Sequence, residues 1–441
     1  MLIKEKIEEL NYKREDDLFV IIDLIYRKEM YYKSDYQDRF GFTEISQQQF
    51  KELIPSSDGL NNALNFLIEN GLLLRNDYYQ IKAKSKSYRI PAEYLSKTVP
   101  VEITDHKINR RIQKQFEAIR EVKLNSLKFA QSRYYKCFKI YLKGAQKAVL
   151  QRTVEEIQLL TSQLNLKYSV DDIMDIIECR DGGPKKRFDI IIHPKGKELH
   201  HIMHRFIVHS TRLNAINDGF LFFKRNKTNG RLDTNLTSLP SYLRKFIISK
   251  EPLVNIDIKN SQPFFLYATL KNETLIDEHE LARFGKLVVE GRFYEFLQNE
   301  LSERRQKIRT RDQIKNLVYR VMFSENDSFP FDKSFFHELF PTIMEHIKRV
   351  NRADNSSLAI ALQKTEAKCV LDSVMPALRE KGIVPYTIHD SFLCQDSEAR
   401  IVQEVFNSLL VEEFGIAPSV HVTPLMEEDE EPVSFWDDDF R

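Results

Sequence analysis

Glycine is scarce in this sequence, with 13 in 441 residues, while 42% of the chain is hydrophobic and 30% charged. That balance argues against a turn-dense architecture and for a helix-rich soluble protein. Long apolar runs are also missing. No stretch approaches the ~20 residues needed to cross a bilayer, and the start "MLIKEKIEEL" lacks a signal-peptide core, so a cytoplasmic protein is expected. Paired cysteines are absent. Cys137, Cys179, Cys369 and Cys394 are far apart with no CxxC, which indicates neither a cysteine zinc site nor a disulfide framework; they are expected to be reduced and structural. There is no HExxH either. His200 and His204 stand one turn apart in "ELHHIMHRFIVH", but no third ligand has convincing spacing, and the segment reads as an amphipathic helix. No internal repeat is found, and no low-complexity segment precedes the C-terminal tail.

A net charge of +1 conceals an uneven distribution. The last fifteen residues, "EEDEEPVSFWDDDFR", carry eight acids and one Arg, and without them the chain holds 65 basic and 57 acidic side chains, a net +8. Between Lys107 and Arg152 runs a basic stripe: Arg110, Arg111, Lys114, Arg120, Lys123, Lys128, Arg133, Lys136, Lys139, Lys143 and Lys147 against Glu117 and Glu121. The stripe reads either as a footprint for a phosphate backbone or as a solvated helix face.

Residues 16–95 give three helical segments, "DLFVIIDLIY", "ISQQQFKELI" and "SSDGLNNALNFLIENG", and then two strands around a basic tip. In the third helix Ser57 or Asp58 is the expected cap, Leu60, Leu64, Phe66 and Leu67 the buried face, and Gly71 the stop. Three helices followed by a hairpin is the winged-helix order. Asn61, Asn62 and Asn65 would face outward, and Lys82, Lys84, Lys86 and Arg89 would arm the wing, a set suited to DNA or to a protein partner. Pro91 and Pro100 bracket a linker.

Two carboxylates are candidates for chemistry. Asp390 sits in "IVPYTIHDSFLC", where two short strands flank a tight turn, and Asp257 sits in "LVNIDIKNSQPFFL", where a strand turns into a helix. One carboxylate at each of two strand ends is the minimum set for holding two magnesium ions, provided the strands are neighbours. A third segment, "TRDQIKNLVYRVMF", opens with a Thr310/Gln313 capping box. Arg311, Lys315, Tyr319 and Phe323 recur along one stripe opposite Ile314, Leu317, Val318 and Val321. Two cations at a helix N-terminus suit a triphosphate, and an aromatic a turn later can stack on a base.

Taken in order, these segments resemble the polymerase core of family A DNA polymerases over roughly residues 225–425. "NGRL" with "NLTSLP" is similar to a primer-template motif, giving Arg231 and Asn235. "DIKNSQPFF" looks like the motif that carries the first catalytic Asp, giving Asp257. "RDQIKNLVYRVMF" matches the nucleotide-binding fingers helix, "LQKTEA" a segment giving Gln363, and "HDS" the second catalytic motif, giving His389 and Asp390. The departures concern sugar choice and spacing. Ser261-Gln262 come two residues later than in the family, so either Gln262 or Phe264 occupies the place of its sugar-sensing Glu. Ser324 and Lys364 stand where the family has Gly, and Ser391 where it has Glu. His-Asp-Ser also resembles the single-subunit RNA polymerases, whereas Tyr319 and the compact stretch between Asp257 and Asp390 favour DNA.

The resemblance implies an α+β, helix-rich right-hand polymerase, with palm, fingers and thumb, behind an N-terminal winged-helix domain. Its expected parts are a winged helix over 1–100, a basic helical thumb or linker region over 101–220, palm and fingers over 221–426, and an acidic disordered tail over 427–441. The implied activity is template-directed DNA synthesis from a primer, with Mg2+ as two ions on Asp257 and Asp390. Arg311, Lys315, Tyr319, Phe323 and Gln262 or Phe264 would line the nucleotide, and Arg231, Asn235, Gln363 and His389 the primer-template. No room is left before the palm for a proofreading exonuclease, and none is expected. The alternatives are an RNA polymerase or primase-like enzyme and a replication-initiator-like DNA-binding protein with a degenerate core. Expected partners are a DNA primer-template and nucleoside triphosphates, with no membrane. The tail, with Phe435, Trp436 and Phe440 among its acids, either solubilises the protein or resembles the acidic tails by which single-strand-binding proteins dock replisome partners.

Overall fold

The computed structural model describes residues 3–31, 42–77, 85–91, 94, 99–120, 125–178, 180, 182–193, 196–304 and 310–425. Lys82, Lys84, Lys123, Cys179 and the acidic tail lie outside the described residues. Helices dominate, and among the described residues three small antiparallel sheets complete a helix-rich α+β protein. Among the described residues, no helix is long and apolar enough to cross a membrane.

At the N-terminus the helix Glu15–Tyr31 leads into β1 (Thr43–Glu44), helices Gln47–Leu53 and Ser57–Glu69, then β2 (Leu74–Asn76) and β3 (Ser87–Arg89). The strands pair in the order β1-β3-β2. Leu60, Leu64 and Leu67 are buried, Phe66 is half-buried, and Asn61, Asn62 and Asn65 are exposed, as the periodicity predicts. The cap is Ser56 rather than Ser57 or Asp58: its hydroxyl accepts from Gly59 N at 3.1 Å, so the helix starts one residue earlier. Lys86 is paired to Asp77 at 3.0 Å, and the Arg89 guanidinium lies 5.1 Å from the Phe42 ring centroid, so both have protein partners. The connection to the next helix is tied down. Asp16 accepts from Thr104 N and Oγ1 at 2.9 Å each and from Asp105 N at 2.6 Å.

The basic stripe is divided in the fold. Helix His106–Arg120 lies beside the N-terminal unit, with Arg111 donating to the Leu53 carbonyl. In helix Lys128–Cys137, Arg133 donates to the Val384 carbonyl and lies 5.6 Å from the Tyr386 ring. That cation braces the Asp390 hairpin. Helices Leu142–Gln163 and Lys197–Asn217 then pack along each other.

Strands β4 (Phe223–Arg225) and β5 (Leu232–Thr234) form a hairpin whose turn contains Gly230 at φ 75°, where an added Cβ would meet the Ala367 Cβ at 3.5 Å. The central sheet has the order β7-β8-β6-β9, from β6 (Leu253–Ile258), β7 (Tyr386–Ile388), β8 (Ser391–Gln395) and β9 (Val420–Pro424). β6 forms as a strand because Leu253, Val254, Ile256 and Ile258 bury against helices. It lies between β8 and β9, so its backbone is paired on both sides.

Candidate active site

The two carboxylates meet at one end of the central sheet. Asp257 on β6 pairs in register with Ser391 on β8, and Ile388 pairs with Ser391, leaving His389-Asp390 as a two-residue turn. His389 adopts φ 55°, the left-handed conformation that lets the chain reverse in two residues. Ser391 is buried and donates to the Ile388 carbonyl at 3.0 Å, closing the turn. Asp390 is therefore delivered by a braced hairpin to a position one residue from the partner of Asp257.

Electrostatics agree with the proximity. Burial pushes the Asp257 carboxyl up to about 8, and Asp390 adds to the rise while Lys315 opposes it. A carboxylate pair that resists holding two negative charges is the all-oxygen donor chemistry that a hard divalent cation relieves. No group of three or more metal-binding side chains occurs among the described residues, so the pair would leave most of a cation's coordination to water and substrate oxygens, as magnesium sites commonly do. On that chemistry the two aspartates fit magnesium.

Helix Arg311–Phe323 brings the Lys315 charge into the field of Asp257. Thr310 Oγ1 accepts from Gln313 N at 3.3 Å, and Gln313 Oε1 accepts from Thr310 N at 3.0 Å, which completes the capping box. Ile314, Leu317, Val318 and Val321 are buried; on the other stripe Arg311 is exposed, Lys315 and Tyr319 are half-buried, and Phe323 packs partly against the core. Lys315 lies 6.0 Å from the Tyr319 ring centroid, and Tyr319 stacks on Phe323 at 5.9 Å. Arg311 is exposed and rests against Glu295 at 3.3 Å and the Tyr294 ring at 5.7 Å. Burial raises the Tyr294 phenol, and both Tyr319 and Asp390 add to the rise, which places this ring between the helix and the hairpin.

A buried network forms the other wall. Arg231 makes a bidentate pair with Glu366, both bonds 2.7 Å, and Gln262 Nε2 donates to the same carboxylate at 2.7 Å. Glu366 is fully buried. Burial first, and then Asp390, lift its carboxyl to about 7 despite Arg231, so it lies within the field of the aspartate pair. Gln363, one turn earlier on helix Ser357–Ala367, accepts from Asn229 at 3.0 Å.

The remaining candidates are placed differently. Phe264 is fully buried and packs edge-on against Phe265 and Phe414, whereas Gln262 bonds to the Glu366 carboxylate. Asn235 is buried as a loop staple, accepting from Phe222 N at 2.8 Å and donating to the Phe220 carbonyl at 3.1 Å. His200 and His204 stack at 6.4 Å within the long helix, and burial drives the His200 imidazole down to about 3.

Three further residues of the site do not stand out in the sequence. Glu366 lies three residues after Gln363, on the same helical face, which was the available signal. Tyr294 carried none. His421 on β9 lies directly opposite Asp257 on the side away from Ser391, and burial together with Lys259 and Arg311 lowers its imidazole.

No family model matches the chain, and no curated protein matches it. Among solved structures, the POL domain of Pol1 from M. smegmatis, in complex with DNA primer-template and dNTP, is similar over 72% of this chain and 72% of its own, with 12% sequence identity and a TM-score of 0.45.

Proposed function

We propose that the chain is a template-directed DNA polymerase that extends a primer with deoxynucleoside triphosphates. The observation that carries this reading is the convergence of Asp257, on β6, with Asp390, in the turn next to its strand partner Ser391, near a helix that carries Arg311, Lys315 and Tyr319. Two hard-cation ligands facing two cations and an aromatic ring is an arrangement for a magnesium-bound nucleoside triphosphate.

Residues 1–100 are read as a winged helix, 101–220 as a basic helical thumb or linker, and 221–426 as palm and fingers. Arg311 and Lys315 bind the phosphates at the helix N-terminus, where backbone N–H groups add to their charge. Tyr319, held against Phe323, stacks near the incoming base. Glu366 anchors Arg231 and Gln262, fixing the turn after β4 and the start of the helix after β6 relative to each other. Magnesium held by Asp257 and Asp390 would favour their charged forms, offsetting the burial and the field of Asp390 that raise the Asp257 carboxyl. Bound at Asp257 and Asp390, magnesium would activate the primer 3′-hydroxyl and neutralise the leaving phosphates.

Purified protein, a primed template and magnesium, supplied separately with deoxyribonucleotides and ribonucleotides, test the reading. Asp390-dependent extension with deoxyribonucleotides is expected. Extension with ribonucleotides alone would make it an RNA polymerase, and specific duplex binding without extension would favour the initiator-like alternative.

A further inference from the structure

A second surface lies at the far end of β6 from Asp257. Ile140 and Ile247 form an isolated antiparallel bridge, flanked by Tyr141 N to the Phe246 carbonyl at 2.8 Å and Ile248 N to the Lys139 carbonyl at 2.9 Å. Ile140 and Ile247 are buried, and their neighbours Lys139, Tyr141 and Ile248 are exposed, while Phe246 packs partly against the core. There Tyr141 is 56% exposed and Ile248 51% exposed.

The tyrosine is held. It directly precedes helix Leu142–Gln163, and a Cβ on Gly144 would come within 2.6 Å of its ring and 3.0 Å of the Phe246 ring. Only glycine lets the ring lie on the first turn of the helix. An exposed aromatic fixed in this way has lost its rotamer freedom before any ligand arrives.

Its surroundings are basic. Lys139, Lys143, Lys147, Lys245 and Lys250 are all exposed, and Lys143 and Lys147 stand one turn apart. The Lys245 ammonium lies 5.8 Å from the Phe246 ring centroid. Residues 136–150 contain no acid, and residues 241–251 contain only Glu251.

We infer that Tyr141 and the lysines around it bind single-stranded nucleic acid, the ring stacking on an unpaired base and the ammonium groups taking the adjacent phosphates. Duplex satisfies the lysines but offers no free base face to the ring, and an acidic peptide likewise leaves the ring without a partner plane. Single strand uses both. This surface goes beyond the polymerase reading and does not require it.

The test is fluorescence anisotropy of the full chain with a fluorescein-labelled dT oligonucleotide and with a blunt duplex of equal length, in magnesium-free buffer. Tyr141→Ala is expected to weaken single-strand binding roughly tenfold, the scale of one lost base stack, and to change duplex binding less than about twofold. Tyr141→Trp should bind as the parent does, and Gly144→Ala, which lifts the ring, should behave as Tyr141→Ala. Changing Lys143 and Lys147 together to Gln should reduce the slope of log affinity against log salt by about 1.4 for single strand. Single-strand affinity unchanged in Tyr141→Ala, an equal loss for duplex, or Tyr141→Trp binding no better than Tyr141→Ala would overturn the inference. Asp390→Ala should bind the oligonucleotide as the parent does, so a protein that fails to extend primers still tests this surface.

Discussion

Changing Arg231 to Ala isolates the network behind the candidate site. Glu366 is fully buried, with two 2.7 Å bonds from Arg231 and one from Gln262. The variant leaves the carboxylate with the neutral Gln262 donor and the unfavourable field of Asp390. Removing one partner of a buried ion pair costs about 3–5 kcal/mol. The carboxyl can limit that cost by taking a proton. It already titrates at about 7, against 4.5 for an ordinary Glu, and loses its main lowering influence with Arg231. A folded-state value raised above the unfolded one means that the folded protein holds the extra proton in between, so stability falls as pH rises through that window. The loss in Arg231→Ala is therefore largest above the variant's further-raised value and shrinks, by at most about 1.4 kcal/mol per pH unit, as pH falls toward 7, below which both folded proteins hold the proton. Native-state hydrogen exchange over residues 357–367, variant against parent at pH 6 and pH 8 with intrinsic rates corrected, reads this directly. At pH 8 a loss of about 3 kcal/mol appears as exchange faster by roughly two orders of magnitude. Adding Glu366→Leu to Arg231→Ala removes the charge and should recover much of the protection. Unchanged protection at pH 8, or a loss of equal size at both pH values, would refute the reasoning.

Further outcomes follow from the same geometry. Lys315→Ala should raise the nucleotide KM roughly 10- to 100-fold in steady-state extension, the scale of one charged hydrogen bond. Phe264→Ala should lower stability by about 3–5 kcal/mol as a core cavity, while Phe264→Leu keeps the nucleotide KM at the parent value. The Asp257 carboxyl, raised to about 8 from 3.8, holds a proton in the folded state that the unfolded chain releases, so metal-free stability should fall as pH rises from about 4 to 8. Asp257→Asn should flatten that fall in thermal unfolding, and added magnesium should raise the parent's midpoint more at pH 8 than at pH 6.

Local patterns carried the sequence reading well. The capping box at Thr310, the buried face of helix Arg311–Phe323 and the tight turn that carries Asp390 all depend on residues a few positions apart, and each is found where the spacing placed it, with the second strand beginning one residue earlier, at Ser391. Pairing across the chain was not legible. Arg231 and Glu366 are 135 residues apart, and nothing in "NGRL" or "LQKTEA" announces that they meet. The two carboxylates require β6 and β8 to be neighbours if they are to share a cation, but no local pattern enforces that pairing. β9, which sets His421 beside Asp257, carries no signal of its place in the sheet. Charge alone also misled about the basic stripe. Arg133 contributes to the count yet is spent on the Val384 carbonyl, while the lysines around Tyr141 remain exposed. Packing separates the two positions after Asp257: Phe264 belongs to the apolar cluster with Phe414, and Gln262 turns to Glu366.

The most direct measurement is magnesium-dependent primer extension by the parent, Asp257→Ala and Asp390→Ala, with folding of each variant verified by circular dichroism. The account predicts template-directed incorporation by the parent and a loss of about two to three orders of magnitude in each folded variant, the scale of removing one group that stabilises charge at a reacting centre. Absence of extension by the folded parent, or extension that survives loss of Asp390, would contradict it.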